Sequence, residues 1–321
     1  MGRLCKGKGR AFPVSGRLGN RGAGKEGEAV AVMWIHKKKK VDVYVTSAFS
    51  KNSEGGNRAG IVLSRPDFAH HQKMEIAKRL GYSETAFVSD SDKADFKLQY
   101  FTPTEEVPLC GHATIATFST LKLLNMLDKA DCTIETGAGI FNIHIKEDGL
   151  VLMEQNCPTY LKVLNSDVFM GCVETDFIDH RFPIQIVSTG LNDIMLPIDS
   201  AEHLGQLSPD FEMIANLSRE KNVVGVHAFT LTTESDETAI CRNFAPLYGI
   251  DEESATGTAS CALACYLFKY HKQQPQYIFE QGHNMGAISR IVVNLSYHRD
   301  VIDSAFVGGY GYLLGKKSLP V

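Results

Sequence analysis

Two stretches of the chain repeat one pattern. YFTPTEEVPLCGHATIA, from Tyr100 to Ala116, and NFAPLYGIDEESATGTASCA, from Asn243 to Ala262, both run from Phe-x-Pro through an acidic loop to x-Gly-x-Ala-[Thr/Ser]-x-Ala and on into an apolar helix. A repeated strand, acidic loop and glycine-started helix constrains the fold to two similar domains facing one another. The two helix N-termini then converge on one cleft. Each brings unpaired N–H groups and a partial positive charge, which stabilise an anion by roughly 0.3–1 kcal/mol, or up to about 2 kcal/mol when partly buried. Glycine at 111 and 257 lets the backbone approach a small carboxylate closely. Taken alone, Pro108 and Gly111 serve equally well as a simple chain turn, with His112 satisfied locally.

The rest of the chain reads as mixed β-structure with few helices. VDVYVTSAF alternates apolar residues at 41, 43 and 45, GIVLS and TAFVSD are further short strands, and FKLQYFTP is a fourth. SRPDFAHHQKMEIAKRLGY carries helix signals, with Ser64 as cap, Pro66 in the first turn, Leu80 closing the apolar face and Gly81 after it. CTIETGAGIFNIHIKEDGLVLMEQ holds two or three strands with turns at Gly137–Gly139 and Glu147–Gly149. The expected domains are 41–155, joined by a return strand at about 304–321 (near Ala305 to Leu314), and 156–303. Residues 1–40 form a dispensable or poorly ordered extension. Residues 1–32 are glycine-rich and basic, so organelle targeting stays open, and Met33 is an alternative start.

Composition excludes several classes. At 321 residues, 44% hydrophobic and 22% charged, with net charge -4, the chain is globular and lacks the basic footprint of a nucleic-acid binder. No apolar run reaches the roughly 18 residues of a membrane span, so a soluble chain is expected, and the scattered cysteines point to reduced thiols in a cytoplasmic protein. The 8 cysteines form no CxxC pair and the 11 histidines no HExxH, so neither a disulfide framework nor a metal site is expected. No glycine-rich phosphate loop is present, which argues against a nucleotide or nicotinamide cofactor.

GGNRAGIV, GYSETAFV, FTPTEEVPLCGHAT and RNFAPLYGIDEESATGTAS, in that order between Val41 and the C-terminus, resemble the phenazine-biosynthesis-protein-like (PhzF-like) isomerases, related in fold to diaminopimelate epimerase. The resemblance implies an α+β fold of two pseudo-symmetric domains, each a curved mixed β-sheet wrapped around a central helix. It also implies a cofactor-free site in the cleft that moves a proton between carbons of a small carboxylated metabolite, and a homodimer. By motif, Glu84 takes the place of the family's acid/base glutamate and His112 that of the histidine beside it. Gly111 and Gly257 match the backbone anion donors, and Asn57 the asparagine of GGN. Such chemistry needs a base whose pKa burial raises, and donors aimed at the developing charge.

The chain departs from the family's EDPATGSA, which reads here EESATGTA. Glu253 replaces aspartate as a longer second acid, Ser254 replaces proline, and Thr258 replaces serine and narrows the pocket. Arg58 stands for the proline of GGNP and Ala287 for an arginine, with Arg290 a candidate substitute or a plain surface residue. Cys110 matches Thr256 in the repeat, which disfavours a two-thiol mechanism and leaves Cys110 as a small pocket-lining residue. Two functions remain open: a cofactor-independent isomerase or epimerase, and a family member that binds small molecules or proteins without turnover.

Overall fold

The computed structural model describes residues 40–63, 68–233 and 236–320. The expected extension, apart from Lys40, lies outside the described residues, as do Ser64 and Pro66.

The first half runs β1 (Lys40–Ala48), β2 (Asn57–Val62), α1 (His70–Leu80), β3 (Glu84–Ser89), β4 (Phe96–Phe101), β5 (Glu106–Val107), α2 (Gly111–Leu123), β6 (Asp131–Thr136), β7 (Gly139–Ile145) and β8 (Val151–Gln155). The second runs β9 (Thr159–Leu164), β10 (Ile184–Ser188), β11 (Asn192–Pro197), α3 (Ala201–Gln206), α4 (Phe211–Lys221), β12 (Gly225–Leu231), β13 (Ala239–Ala245), β14 (Ile250–Glu253), α5 (Gly257–Tyr270), β15 (Gln276–Gln281), β16 (Ser289–His298), β17 (Val301–Gly309) and β18 (Tyr312–Pro320). Val41, Val43 and Val45 point inward from β1, as their alternation requires. Gly81 ends α1 in the left-handed conformation, with φ 67°, and its N–H bonds the Ala77 carbonyl.

Strand pairing repeats step for step. In the first half β1–β2 is antiparallel, β2–β3 parallel, β3–β4 and β4–β5 antiparallel, β4–β6 parallel, and β6–β7 and β7–β8 antiparallel. The second half gives the same sequence of hands: β10–β11, β11–β12, β12–β13, β13–β14, β13–β15, β15–β16 and β16–β17. β9 lies antiparallel on β10 as β18 lies on β1. The expected return segment, 304–321, divides between two strands. β17 pairs with β16 and β8, and only after Tyr310 and Gly311 does β18 return to β1. The chain passes tightly over α2 there, since a Cβ on Gly311 would lie 2.4 Å from the Ser119 side chain.

Each half wraps one helix. α2 packs on β1, β2, β3, β8 and β18, and α5 on β10, β11, β16 and β17. Both helices are apolar around most of their circumference, which suits only a surrounded position. Their inner residues, among them Ile115, Phe118, Leu263 and Leu267, belong to one continuous core. Smaller clusters lie under α1 and under α3 and α4.

The halves meet along β8 and β17, where Gly308 is paired with Leu152. A Cβ at Gly308 would stand 1.8 Å from the Val151 carbonyl oxygen, and backbone in a ladder cannot give way. Gly308→Ala is therefore expected to cost about 1–3 kcal/mol as an overpacking substitution. Urea unfolding would measure it, and an unchanged midpoint would show that the seam tolerates separation.

Candidate active site

The predicted site residues come from both halves and meet where the two inner helices begin. Asn57 opens β2, Glu84 opens β3, His112 is the second residue of α2, and Glu253 ends β14 just before α5. The GGN turn delivers Asn57. Gly55 has φ 61°, and a Cβ on it would come within 2.0 Å of the Ile288 carbonyl oxygen of the second half, so only glycine lets this turn press against its neighbour.

Asn57 joins the two sides. Its Nδ2 stands 3.4 Å from His112 Nδ1, donates to Glu253 Oε1 at 3.0 Å, and lies 3.5 Å from the Ala255 carbonyl. The other His112 nitrogen, Nε2, is 3.1 Å from Glu84 Oε2 and 3.3 Å from Ser83 Oγ. Cys110 Sγ is 3.4 Å from His112 Nδ1. The other Glu253 oxygen accepts the Thr256 hydroxyl at 2.6 Å. The match of Thr256 to Cys110 thus has a structural consequence: the second-half residue anchors an acid, and no second thiol faces Cys110. Thr258 stands second in α5, as His112 does in α2, and its carbonyl accepts the Thr189 hydroxyl at 3.3 Å.

The two helix N-termini are left open by their own side chains. Surface helices α3 and α4 are capped by Ser200 and Asp210, whose side chains accept from His203 and Met213 N–H groups. Cys110 and Thr256 occupy the same position for α2 and α5 and make no side-chain cap bond. At Gly111 a side chain would meet no protein atom within 4 Å, so open space lies beside His112. At Gly257 the Phe49 ring would already be 3.3 Å away.

The protonation states differ across the cleft. Burial pushes Glu84 up, as the sequence suggests, but the His112 ring, 3.1 Å away, outweighs it and holds Glu84 below the usual carboxylate range. The expectation of a base with a raised pKa is corrected in this respect. Burial opposes charge on His112, yet Cys110 and Glu84 together raise it well above its ordinary value. Glu253 moves the other way: burial, reinforced by Glu84, raises it against the pull of His112, Thr256 and Asn57. Burial and Glu84 raise Cys110, which keeps it a thiol. The site therefore offers a carboxylate on one side and a carboxyl disposed to keep its proton on the other.

Several participants escape sequence reasoning. Gln281 is buried, takes the Thr256 N–H at 3.2 Å and donates to the Glu253 carbonyl at 2.6 Å, clamping the turn before α5. A glutamine at a strand end carries no sequence signal for that role. Arg290 does not reach the site and pairs with Glu237 at 2.8 Å. Glu84, Cys110 and His112 place one donor atom each within 4.8 Å of one another, the one described group able to hold a metal ion. A surface cavity of about 570 Å³, lined by Asp95, Lys129, His144 and Phe306 among others, includes none of these residues.

The sequence profile of phenazine biosynthesis-like proteins matches residues 46–312. The chain belongs to that family. It is 33% identical over 270 residues to an uncharacterised isomerase of Bacillus subtilis, covering 80% of this chain and 92% of the relative. An uncharacterised isomerase of Clostridium acetobutylicum is 31% identical over 268 residues, covering 76% and 88%. The crystal structure of a Bacillus anthracis phenazine biosynthesis protein of the PhzF family superposes with a TM-score of 0.80 at 27% identity, over 88% of this chain and 100% of that one. The epimerase-type fold, with two pseudo-symmetric halves, follows. No helix among the described residues is long and apolar enough to cross a membrane.

The Glu84–His112 pair links stability to pH. A lowered carboxylate contributes stability that is present above its ordinary value of 4.5 and lost as pH falls through the folded value. A raised histidine contributes stability that is present below 6.5 and lost as pH rises through its folded value. The stability difference between wild type and Glu84→Gln should therefore be largest between pH 4.5 and 6.5 and shrink on both sides. Urea titrations across pH would read it, and a pH-independent difference would mean the two groups do not interact as charges.

Proposed function

We propose that this protein is a cofactor-independent isomerase that moves a proton at carbon in a small carboxylated metabolite bound between its two halves. The observation that carries this reading is the Glu84–His112 pair, 3.1 Å apart, standing beside a helix N-terminus that no side chain caps. The N–H groups around Gly111 and Gly257 would hold the substrate carboxylate and the charge that grows on it as the proton leaves. Glu84, a carboxylate across the neutral range, takes the proton. His112 remains charged and offsets the negative charge that Glu84 and the substrate bring together. Glu253 returns a proton from the other wall, to the same carbon in an epimerisation or to a neighbouring one in a double-bond shift. One proton leaves and one arrives, so the product is an isomer. Asn57 sets the spacing of the two walls, and Cys110 and Thr258 shape the pocket. Residues 41–155 with the last strand, and 156–303, serve as the two catalytic halves on this reading.

Glu84→Gln keeps the shape of the side chain and removes the base. Solvent deuterium incorporation into a panel of small amino and hydroxy acids, followed by NMR, should show exchange with wild type and a loss of about 10²- to 10⁴-fold with the variant, while binding persists. Wild-type exchange in Glu84→Gln would remove Glu84 from the mechanism. Binding of carboxylates by wild type with no exchange on any of them would leave a binding protein in place of an isomerase.

A further inference from the structure

The two helix starts differ in the chemistry of their side chains. Cys110 precedes α2 and His112 is its second residue, where the other half has Thr256 and Thr258. Cys110 and His112 are 7% and 6% exposed, and Glu84 reaches them from the first position of β3. The first wall thus brings a thiol, an imidazole and a carboxylate together from two separate elements. Threonines in the second half offer none of these groups.

Their atoms converge. His112 Nε2 lies 3.1 Å from Glu84 Oε2 and 3.9 Å from Cys110 Sγ, and one donor atom of each residue falls within 4.8 Å of the other two. Ligands of a tetrahedral zinc, bonded at about 2.3 Å to sulfur and about 2.0–2.2 Å to nitrogen and oxygen, stand about 3.3–3.6 Å from one another. The two measured edges bracket that spacing, so small side-chain rotations bring all three atoms onto one ion. Glu84 Oε2 is buried and takes no aligned hydrogen bond, which makes its contact with His112 a close approach only. A buried carboxylate oxygen without a donor is costly, and a cation bound there removes that cost.

We propose that Glu84, Cys110 and His112 form a binding site for one thiophilic divalent cation, with Zn2+ as its type. Thiolate, imidazole and carboxylate are zinc's common ligands, whereas Mg2+ and Ca2+ take oxygen and gain nothing from the sulfur. Glu253 is not a fourth ligand, because its two oxygens are held by Asn57 at 3.0 Å and by the Thr256 hydroxyl at 2.6 Å. The open space beside Gly111 leaves room for water or a metabolite carboxylate there. Three protein ligands and one exchangeable position make an open zinc site.

The exchange balances in charge. Counted from carboxylate, imidazolium and thiol, the ion displaces the hydrogen on Sγ and the one on Nε2. Two protons leave as two charges arrive, and the wall stays neutral. Binding in exchange for protons strengthens as pH rises. The N-terminus of α2 favours the thiolate that forms. An ion on Glu84 Oε2 occupies the oxygen that takes the substrate's proton, so the two exclude each other and the cation inhibits. That consequence rests on the reading of Glu84 as the base, and the binding itself does not.

Cobalt titration of the full chain tests the site without a substrate, because a thiolate on Co2+ gives a charge-transfer band in the near ultraviolet. Wild type should develop the band with one thiolate-bound Co2+ per chain, lose it to added Zn2+ and keep it in Mg2+. Cys110→Ser should not form it, whereas Cys157→Ser, at an exposed cysteine, should. Glu84→Gln keeps the thiol and should bind at least about tenfold more weakly, since even outer-shell changes cost about 10- to 100-fold. A band that persists in Cys110→Ser, unweakened binding in Glu84→Gln, or a wild type that gives no band would overturn the site. Saturating Zn2+ should also abolish deuterium exchange by wild type, and a chelator should restore it. Exchange that continues under a saturated site would refute the inhibition, while metal-free wild type without exchange would count against the isomerase reading alone.

Discussion

Two helices buried on nearly every side must still begin somewhere, and the first N–H groups of each have no partner within the helix. In α3 and α4 that need is met by Ser200 and Asp210. In α2 and α5 it is left open at Cys110 and Thr256, which make no side-chain cap bond. Curved sheets are what such helices require, since only wrapping buries an all-round apolar surface. The sheet strands that start nearest the helix N-termini then inevitably bring their first residues, Asn57 and Glu84, to the same spot. The position of the site is a consequence of how the helices are buried.

The amide of Asn57 turns two such ends into one cleft. It touches His112 from the first half and Glu253 from the second. Its own position depends on Gly55 lying against Ile288. Further bonds cross at the same level: Lys51 pairs with Glu280, and the Ser254 hydroxyl donates to the Gly56 carbonyl at 3.1 Å. Serine in place of the family's proline is thereby used, since proline could not make that bond.

Much of this was legible in the sequence because it is local. Gly81 stops α1, the alternation of Val41, Val43 and Val45 gives β1, and the repeated glycine-started helices give the two halves. Glu84, His112, Asn57 and Glu253 were readable only through their motifs. The direction of the Glu84 shift was not readable, because it depends on an imidazole 28 positions away whose distance only the fold sets. The burial of Asp193 and His227 was not readable for a similar reason, since it depends on the parallel register of β11 on β12, a pairing that helices α3 and α4 separate in sequence. The expected return segment holds two strands, and the break between β17 and β18 was not readable because it is set by a tight passage over Ser119.

The divergence of the halves follows from charge. A symmetric pair of glutamates on either wall would put two carboxylates, and then the substrate's own, into one desolvated cleft. The first wall answers with His112, which neutralises Glu84 at 3.1 Å. The second wall has no cation at that level, since its imidazole at 227 is neutral and Thr258 stands where His112 would be. Its acid, Glu253, is raised by burial and by Glu84, so this is the wall disposed to hold a proton. On the proposed reading, a substrate carboxylate would meet helix ends equivalent to roughly +0.5 each, a base balanced by its histidine, and an acid whose proton the added negative charge would hold more firmly.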